Sequence, residues 1–364
     1  MPPGLDFFIR SIPFRESEMK KFLVSSMVLA VTGSAYAQSG MTLSGSVYAG
    51  LGFNSGNAAV RNTLGGPSSF MFSGKEDLGG GLSALFKLEN AFNADTGSTA
   101  SSTFFDKQAF LGLQGGWGTV RMGRIYTPSF ATLALVGDPT GTFGVFTATN
   151  LMDSHGVRMN NGIIYNSPGF NPWTYARHGV FGALAHFFGE SSTGGSSRNS
   201  ATGFNLGYGT AALVLELSHH RSNLHTDATL DVDSKSTILA ANYKWAAAKL
   251  FFAYSDNSAR NIISQARTKD NTDLLLGFSY PFARGLLSGS YIRKDNKLLP
   301  QNDAYQLGAM YEHFLSKRSK VTLGFARIHN RNPARPHRVV NGYAGTTAAN
   351  AGTTAITLGM THRF

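Results

Sequence analysis

The sequence predicts an all-β chain: a sixteen-stranded antiparallel β-barrel that crosses a membrane. Three observations lead there. Candidate strands with period-two alternation recur along the whole length after residue 40. Short turns and long polar loops alternate strictly between them. No stretch beyond residue 37 approaches the roughly 18 consecutive apolar residues of a helical span. A transmembrane barrel has short turns at one end, longer loops at the other and strands of roughly 9–11 residues. A soluble sandwich has no reason to gather its long loops at one end. Closing the ring also pairs every backbone N–H and C=O, the condition for standing in lipid.

The N-terminus is set aside before the fold is read. Met19-Lys20-Lys21 is a short basic region, Phe22 to Val31 a largely apolar run, and Ala35-Tyr36-Ala37 a small-x-small cleavage pattern. Residues 19–37 are therefore expected to be a signal peptide for export. Residues 1–18 carry Asp6, Glu16 and Glu18, which suit an export signal poorly, and are expected to be an upstream extension. The barrel is then 38–364. Four of the 32 basic and three of the 21 acidic residues fall before it, leaving a net charge of +10. There is no cysteine, so stability has to come from burial and closure rather than cross-links. With 42 Gly, 27 Phe and 13 Tyr, the composition favours strands joined by tight turns.

The elements follow in order. Met41–Phe53 is a strand ending in a polar loop, Asn54–Pro67. Ser68–Lys75 and Leu82–Asn93 flank a turn at Gly79-Gly80-Gly81, and parity sets Lys87 and Glu89 against Ala84, Phe86 and Leu88. Phe104–Leu113 and Gly118–Arg124 flank Gln114-Gly115-Gly116-Trp117. The stretch Ile125–Val157 breaks the rhythm and is too long for an ordinary hairpin. Arg158–Asn166 and His178–Phe188 follow, joined by a proline-punctuated connection. The second half is more regular, with strands around Phe204–Tyr208, Leu213–Ser218, Lys235–Trp245, Lys249–Ser255, Leu274–Phe282, Leu286–Arg293, Tyr305–Tyr311 and Val321–Ala326. The closing strand is Thr353–Phe364, with Ile356, Leu358, Met360 and Phe364 on one face and Thr357, Gly359, Thr361 and Arg363 on the other.

Other chemistries find little footing. Lys and Arg are scattered through polar loops with no basic helix, so no nucleic-acid partner is expected. His219-His220 point to opposite faces of a strand and His225 lies beyond them, which is no converging metal set. The three glycines at 79–81 open no helix and form no phosphate loop. Neither a catalytic constellation nor a cofactor is expected.

Four stretches resemble the general porins of Gram-negative outer membranes, above all the beta-proteobacterial and neisserial type. They are Gly74–Asn93, then Lys107–Leu113 with Trp117–Arg124, then Arg158–Pro168, and Tyr311–Ser319 with Thr361–Phe364. A strand ending on an aromatic carboxyl terminus is the usual closing strand of such barrels. The resemblance implies a homotrimer in the outer membrane, among lipid and lipopolysaccharide, through which small hydrophilic solutes and ions diffuse. A substrate-selective channel for anionic solutes, or a barrel with an adhesive or structural task, is the alternative. Single-channel conductance separates these.

The resemblance also implies that the third long loop, about Tyr126–Val157, folds inward and narrows the pore. Asp138 and Asp153 are its acids, and Lys107 and Arg158 stand where the family has basic wall residues. With Lys87, Glu89 and Arg124 these complete the candidate constriction. Arg124 shares parity with Val120 and Met122, so it reaches the lumen only if the strand bulges first. Ser69 and Ser73 stand where the family usually has Arg or Lys, which thins the basic wall. Phe364 is expected to be the aromatic signal for barrel assembly.

Overall fold

The computed structural model describes residues 40–56, 60–63, 68–153, 156–171, 174–189, 199–227, 230–298, 302–334, 336–339 and 351–364. The expected signal peptide and the stretch before it lie outside the described residues.

Seventeen strands occur among those residues. They are β1 (Gly40–Asn54), β2 (Val60–Thr63), β3 (Ser68–Gly79), β4 (Leu82–Phe92), β5 (Gln108–Gly115), β6 (Gly118–Tyr126), β7 (Arg158–Asn166), β8 (Gly179–Phe187) and β9 (Ala201–Gly209). The series continues with β10 (Leu213–Asp227), β11 (Leu230–Trp245), β12 (Ala248–Asn261), β13 (Arg267–Phe282), β14 (Gly285–Asn296), β15 (Ala304–Phe314), β16 (Ser319–Asn330) and β17 (Thr354–Arg363). Sixteen of them close into one antiparallel ring: β3 to β17 pair in sequence order, and β1 joins β17 to β3. The extra strand, β2, lies inside the expected Asn54–Pro67 loop and adds to Gly50–Phe53 of β1.

Closure runs from Asn54 opposite Ala355 to the last residue. Phe364 N–H donates to Gly45 O, and Gly45 N–H donates to Phe364 O, each at 3.1 Å. A Cβ at position 45 would lie 2.6 Å from the Phe364 ring. Glycine there lets the terminal aromatic lie across β1. At the β3–β4 turn, Gly79, Gly80 and Gly81 have φ of +83°, +60° and +79°. That left-handed conformation strains any residue with a Cβ.

The apolar parity faces outward. On β17, Ile356, Leu358 and Met360 are exposed while Ala355 and Thr357 are buried. On β15, Tyr305 and Leu307 are exposed while Gln306 and Glu312 are buried. This inverts a soluble protein and matches a wall that meets lipid. The inward parity is not uniformly polar, however. Ile238, Ala240, Ala253, Leu275, Ile292 and Ala326 of β11–β16 form one apolar cluster with Leu133, Val136, Val145, Phe146 and Leu151, residues from the connection between β6 and β7.

Candidate functional site

That connection is built from its first residue. Thr127 caps a short helix, α1 (Pro128–Thr132): its Oγ1 accepts from Phe130 N–H at 3.2 Å, and Pro128 fills the first turn, where an N–H would go unpaired. A single wide turn, Leu133–Gly137, follows. Asp138 then organises the tip. Its Oδ1 accepts from Thr140 N–H (2.8 Å) and Thr140 Oγ1 (2.7 Å), and its Oδ2 from Thr147 Oγ1 (3.0 Å) and Ala148 N–H (2.8 Å). Burial holds the Asp138 carboxyl above its usual range, and these four donors oppose that rise.

The back of the segment is pinned to β10–β16. Thr132 Oγ1 donates to Glu216 Oε1 at 2.6 Å, and Arg177 Nε donates to Glu216 Oε2 at 2.5 Å. Asn242 Nδ2 donates to Val136 O (3.1 Å), Lys294 Nζ to Leu151 O (2.8 Å) and Gln306 Nε2 to Phe146 O (2.7 Å). A Cβ on Gly308 would overlap Phe146. These are backbone carbonyls without helix or sheet partners, met by side chains from the opposite wall.

The front of the segment faces a cavity of about 380 Å³. Pro139, Thr140 and Phe143 bound it on one side; Ser69, Glu89, Lys107, Glu312, Lys320 and Arg363 are among the residues on the other. Lys107 Nζ lies 3.2 Å from Glu89 Oε1 and 5.7 Å from the Phe143 ring centroid. Lys320 is bonded to Glu312. Arg363 has no ion-pair partner among the described residues. The segment brings no charge to this cavity.

A closed barrel, apolar outside, with charge-lined space beside the β6–β7 connection, is the form of a diffusion channel. The profile of the Gram-negative porins matches residues 24–333. The chain belongs to that family. Outer membrane porin protein 32 of Delftia acidovorans is 29% identical over 95% of this chain and 100% of its own length. A major outer membrane protein P.IB of Neisseria meningitidis serogroup B is 24% identical over 83% of this chain and 91% of its own. Among solved structures, an anion-selective porin from Comamonas acidovorans superposes with a TM-score of 0.77 at 25% identity, covering 90% of this chain and all of that one. OmpT of Vibrio cholerae, in a trimer form, shares the fold with a TM-score of 0.64 at 11% identity, covering 89% of this chain and 99% of that one. The protein is a bacterial outer-membrane porin.

The porin brings two of the seven candidate charges, Glu89 and Lys107, to the cavity. Lys87 is buried beside them on β4, 5.9 Å from the Tyr175 ring centroid. Arg158 pairs with Asp106 at 3.8 Å and covers the Tyr126 ring, away from the lining. Asp153 pairs with Lys269 (3.2 Å) and Lys294 (3.6 Å) behind the segment. Asp138 is turned into the segment itself. The β6–β7 register shifts between Gly123 and Ile125, so Arg124 lies in a bulge, and it donates to Asp106 O (2.7 Å) and Asn160 Oδ1 (2.5 Å). Ser69 does line the cavity.

Several charges escaped the sequence reading. Arg121 is buried over the Phe110 ring and donates to Asn166 Oδ1 at 2.9 Å. Parity with Thr119, opposite Met122, was the available signal. Glu312 and Lys320 could have been found in the same way, opposite Tyr311 and Val321. The Arg177–Glu216 pair joins the β7–β8 connection to β10 and left no local mark.

Proposed function

We propose that this porin is a homotrimeric diffusion channel for small hydrophilic solutes, narrowed by the inward-folded 127–157 segment and weakly selective for anions. Outer-membrane lipid and lipopolysaccharide are its surroundings, and no chemical step is involved. One observation carries the selectivity. The two ion pairs of the cavity cancel, the segment's acid is consumed internally, and Arg363 is left as the unpaired lining charge. The trimer form of the V. cholerae relative and the anion selectivity named for the Comamonas porin support the same reading. The double hydrogen bond of Phe364 to β1 supports its part in assembly.

The effect is of measurable size. Two charges about 8 Å apart interact by roughly 0.5 kcal/mol in water and about 2 kcal/mol at an effective dielectric of 20. About 1.4 kcal/mol is a tenfold change in partition. In planar bilayers under a salt gradient the reversal potential is expected on the anion side. Arg363→Gln and Lys107→Gln are each expected to move it toward cations by up to several-fold in permeability ratio. At 1 M salt, where the screening length is about 3 Å, the shift is expected to shrink. A cation-preferring wild type, or two variants with unchanged reversal potentials, would refute the reading.

A further inference from the structure

We propose that the outer wall of β14–β16, at the long-loop end, holds a binding site for a lipid with a phosphate monoester headgroup. This rests on the reading that the wall meets outer-membrane lipid. Arg293, Tyr305 and His329 lie directly opposite one another on three adjacent strands. One row nearer the bilayer centre, Tyr291, Leu307 and Arg327 form the next line. Tyr291, Arg293, Tyr305, His329 and Arg331 are among the residues lining a cleft of about 300 Å³. The Tyr305 and His329 rings stack at 4.9 Å, and Tyr291 lies 6.0 Å from Tyr305.

The charges are what need explaining. Arg293, Arg327 and Arg331 are all exposed. Arg331 is held by Asp303 at 3.2 Å, and that carboxylate also takes the Asn296 N–H. Asp295 shares the outward face two residues beyond Arg293. Neither Arg293 nor Arg327 has an ion-pair partner among the described residues. Directly below them the wall is apolar, with Phe325, Leu323 and Leu307 exposed. The cleft therefore stands at the boundary of the hydrocarbon, where Tyr rings settle and where an outward Arg is cheapest. Arg293 lines the cleft and Arg327 stands at its lower edge, one row down; two such guanidinium forks beside an aromatic floor suit a phosphate, which they can grip bidentately. The apolar rows below suit its acyl chains.

Neither arginine has an ion-pair partner among the described residues, so their removal is expected to leave the barrel intact. The test is native mass spectrometry of the full chain, assembled in detergent, with phosphatidic acid, diacylglycerol of the same chains, or inorganic phosphate. Wild type is expected to retain phosphatidic acid at least tenfold better than diacylglycerol. Arg293→Ala with Arg327→Ala is expected to abolish that preference, Arg293→Lys with Arg327→Lys to keep part of it, and Arg221→Ala on β10 to keep all of it. Inorganic phosphate at about 10 mM is expected not to displace the lipid. Equal retention of both lipids, an unchanged double-alanine variant, or displacement by inorganic phosphate would overturn the site. Unchanged conductance of the double-alanine variant separates loss of the site from failure of the porin reading.

Discussion

The two sides of the 127–157 segment obey different physics. Behind it, the inward face of β11–β16 packs against the segment through one apolar cluster. Apolar side chains meet apolar side chains, and the charged groups among them are paired, as Glu216 is between Arg177 and Thr132. In front of it, the faces of β3, β4 and β15–β17 carry pairs of opposite charge around open space. In the proposed channel the back fixes where the segment stands, and the front sets which ions pass. Substitutions behind should therefore alter stability and channel noise, and those in front should alter selectivity.

The largest effect is expected behind the segment. Glu216→Gln keeps the shape but leaves Arg177 buried without its carboxylate. Removing one partner of a buried pair costs about 3–5 kcal/mol. The heat-resistant form of the barrel should be lost at a lower temperature, and single-channel records should become noisy as α1 loosens. Unaltered heat resistance would mean the pair does not hold the segment.

Next comes Asp138→Asn. Asn has one acceptor where the site has two, and it turns an amide against donors that already point at it. Leaving such donors unmet costs about 1–3 kcal/mol. Current noise should rise while the reversal potential stays within error. A quiet channel with shifted selectivity would mean that Asp138 is a pore charge after all.

The same division explains what could be read in advance. The strands were legible because the outward face is apolar over most of its length, so alternation survives in β15, β16 and β17. Several ran longer than the alternation suggested: β12 and β13 continue through polar ends, Ser255–Asn261 and Arg267–Asp273, where no apolar parity remains. Inward apolar residues such as Leu275 and Ile292 were unreadable as such, because only the covering segment makes them favourable. Glu89 and Lys107 were legible, one by parity and the other by resemblance. Asp138 was legible as a loop acid but not as a scaffold, since its partners become neighbours only after the turn forms.

In front of the segment, Ser69→Arg adds a cation where the lining has a hydroxyl. It should strengthen anion preference to about the extent that Arg363→Gln weakens it, because both positions bound the same cavity. A variant that assembles with normal conductance but unmoved selectivity would show that the ion path bypasses β3.

The smallest effect is expected for Arg158→Glu, and it sets the edge of the comparison. Arg158 is not among the cavity-lining residues, and its charge is already spent on Asp106 and the Tyr126 ring. Reversal puts a second carboxylate beside Asp106, so some loss of heat resistance is expected. The field reaching the ion path should fall off with distance and screening, since 0.1 M salt has a screening length of about 10 Å. The shift in reversal potential should therefore be a fraction of that for Lys107→Gln, although the reversal changes twice the charge. A shift equal to or larger than that of Lys107→Gln, in barrels of normal conductance, would mean that the ion path runs closer to Tyr126 than to Lys107.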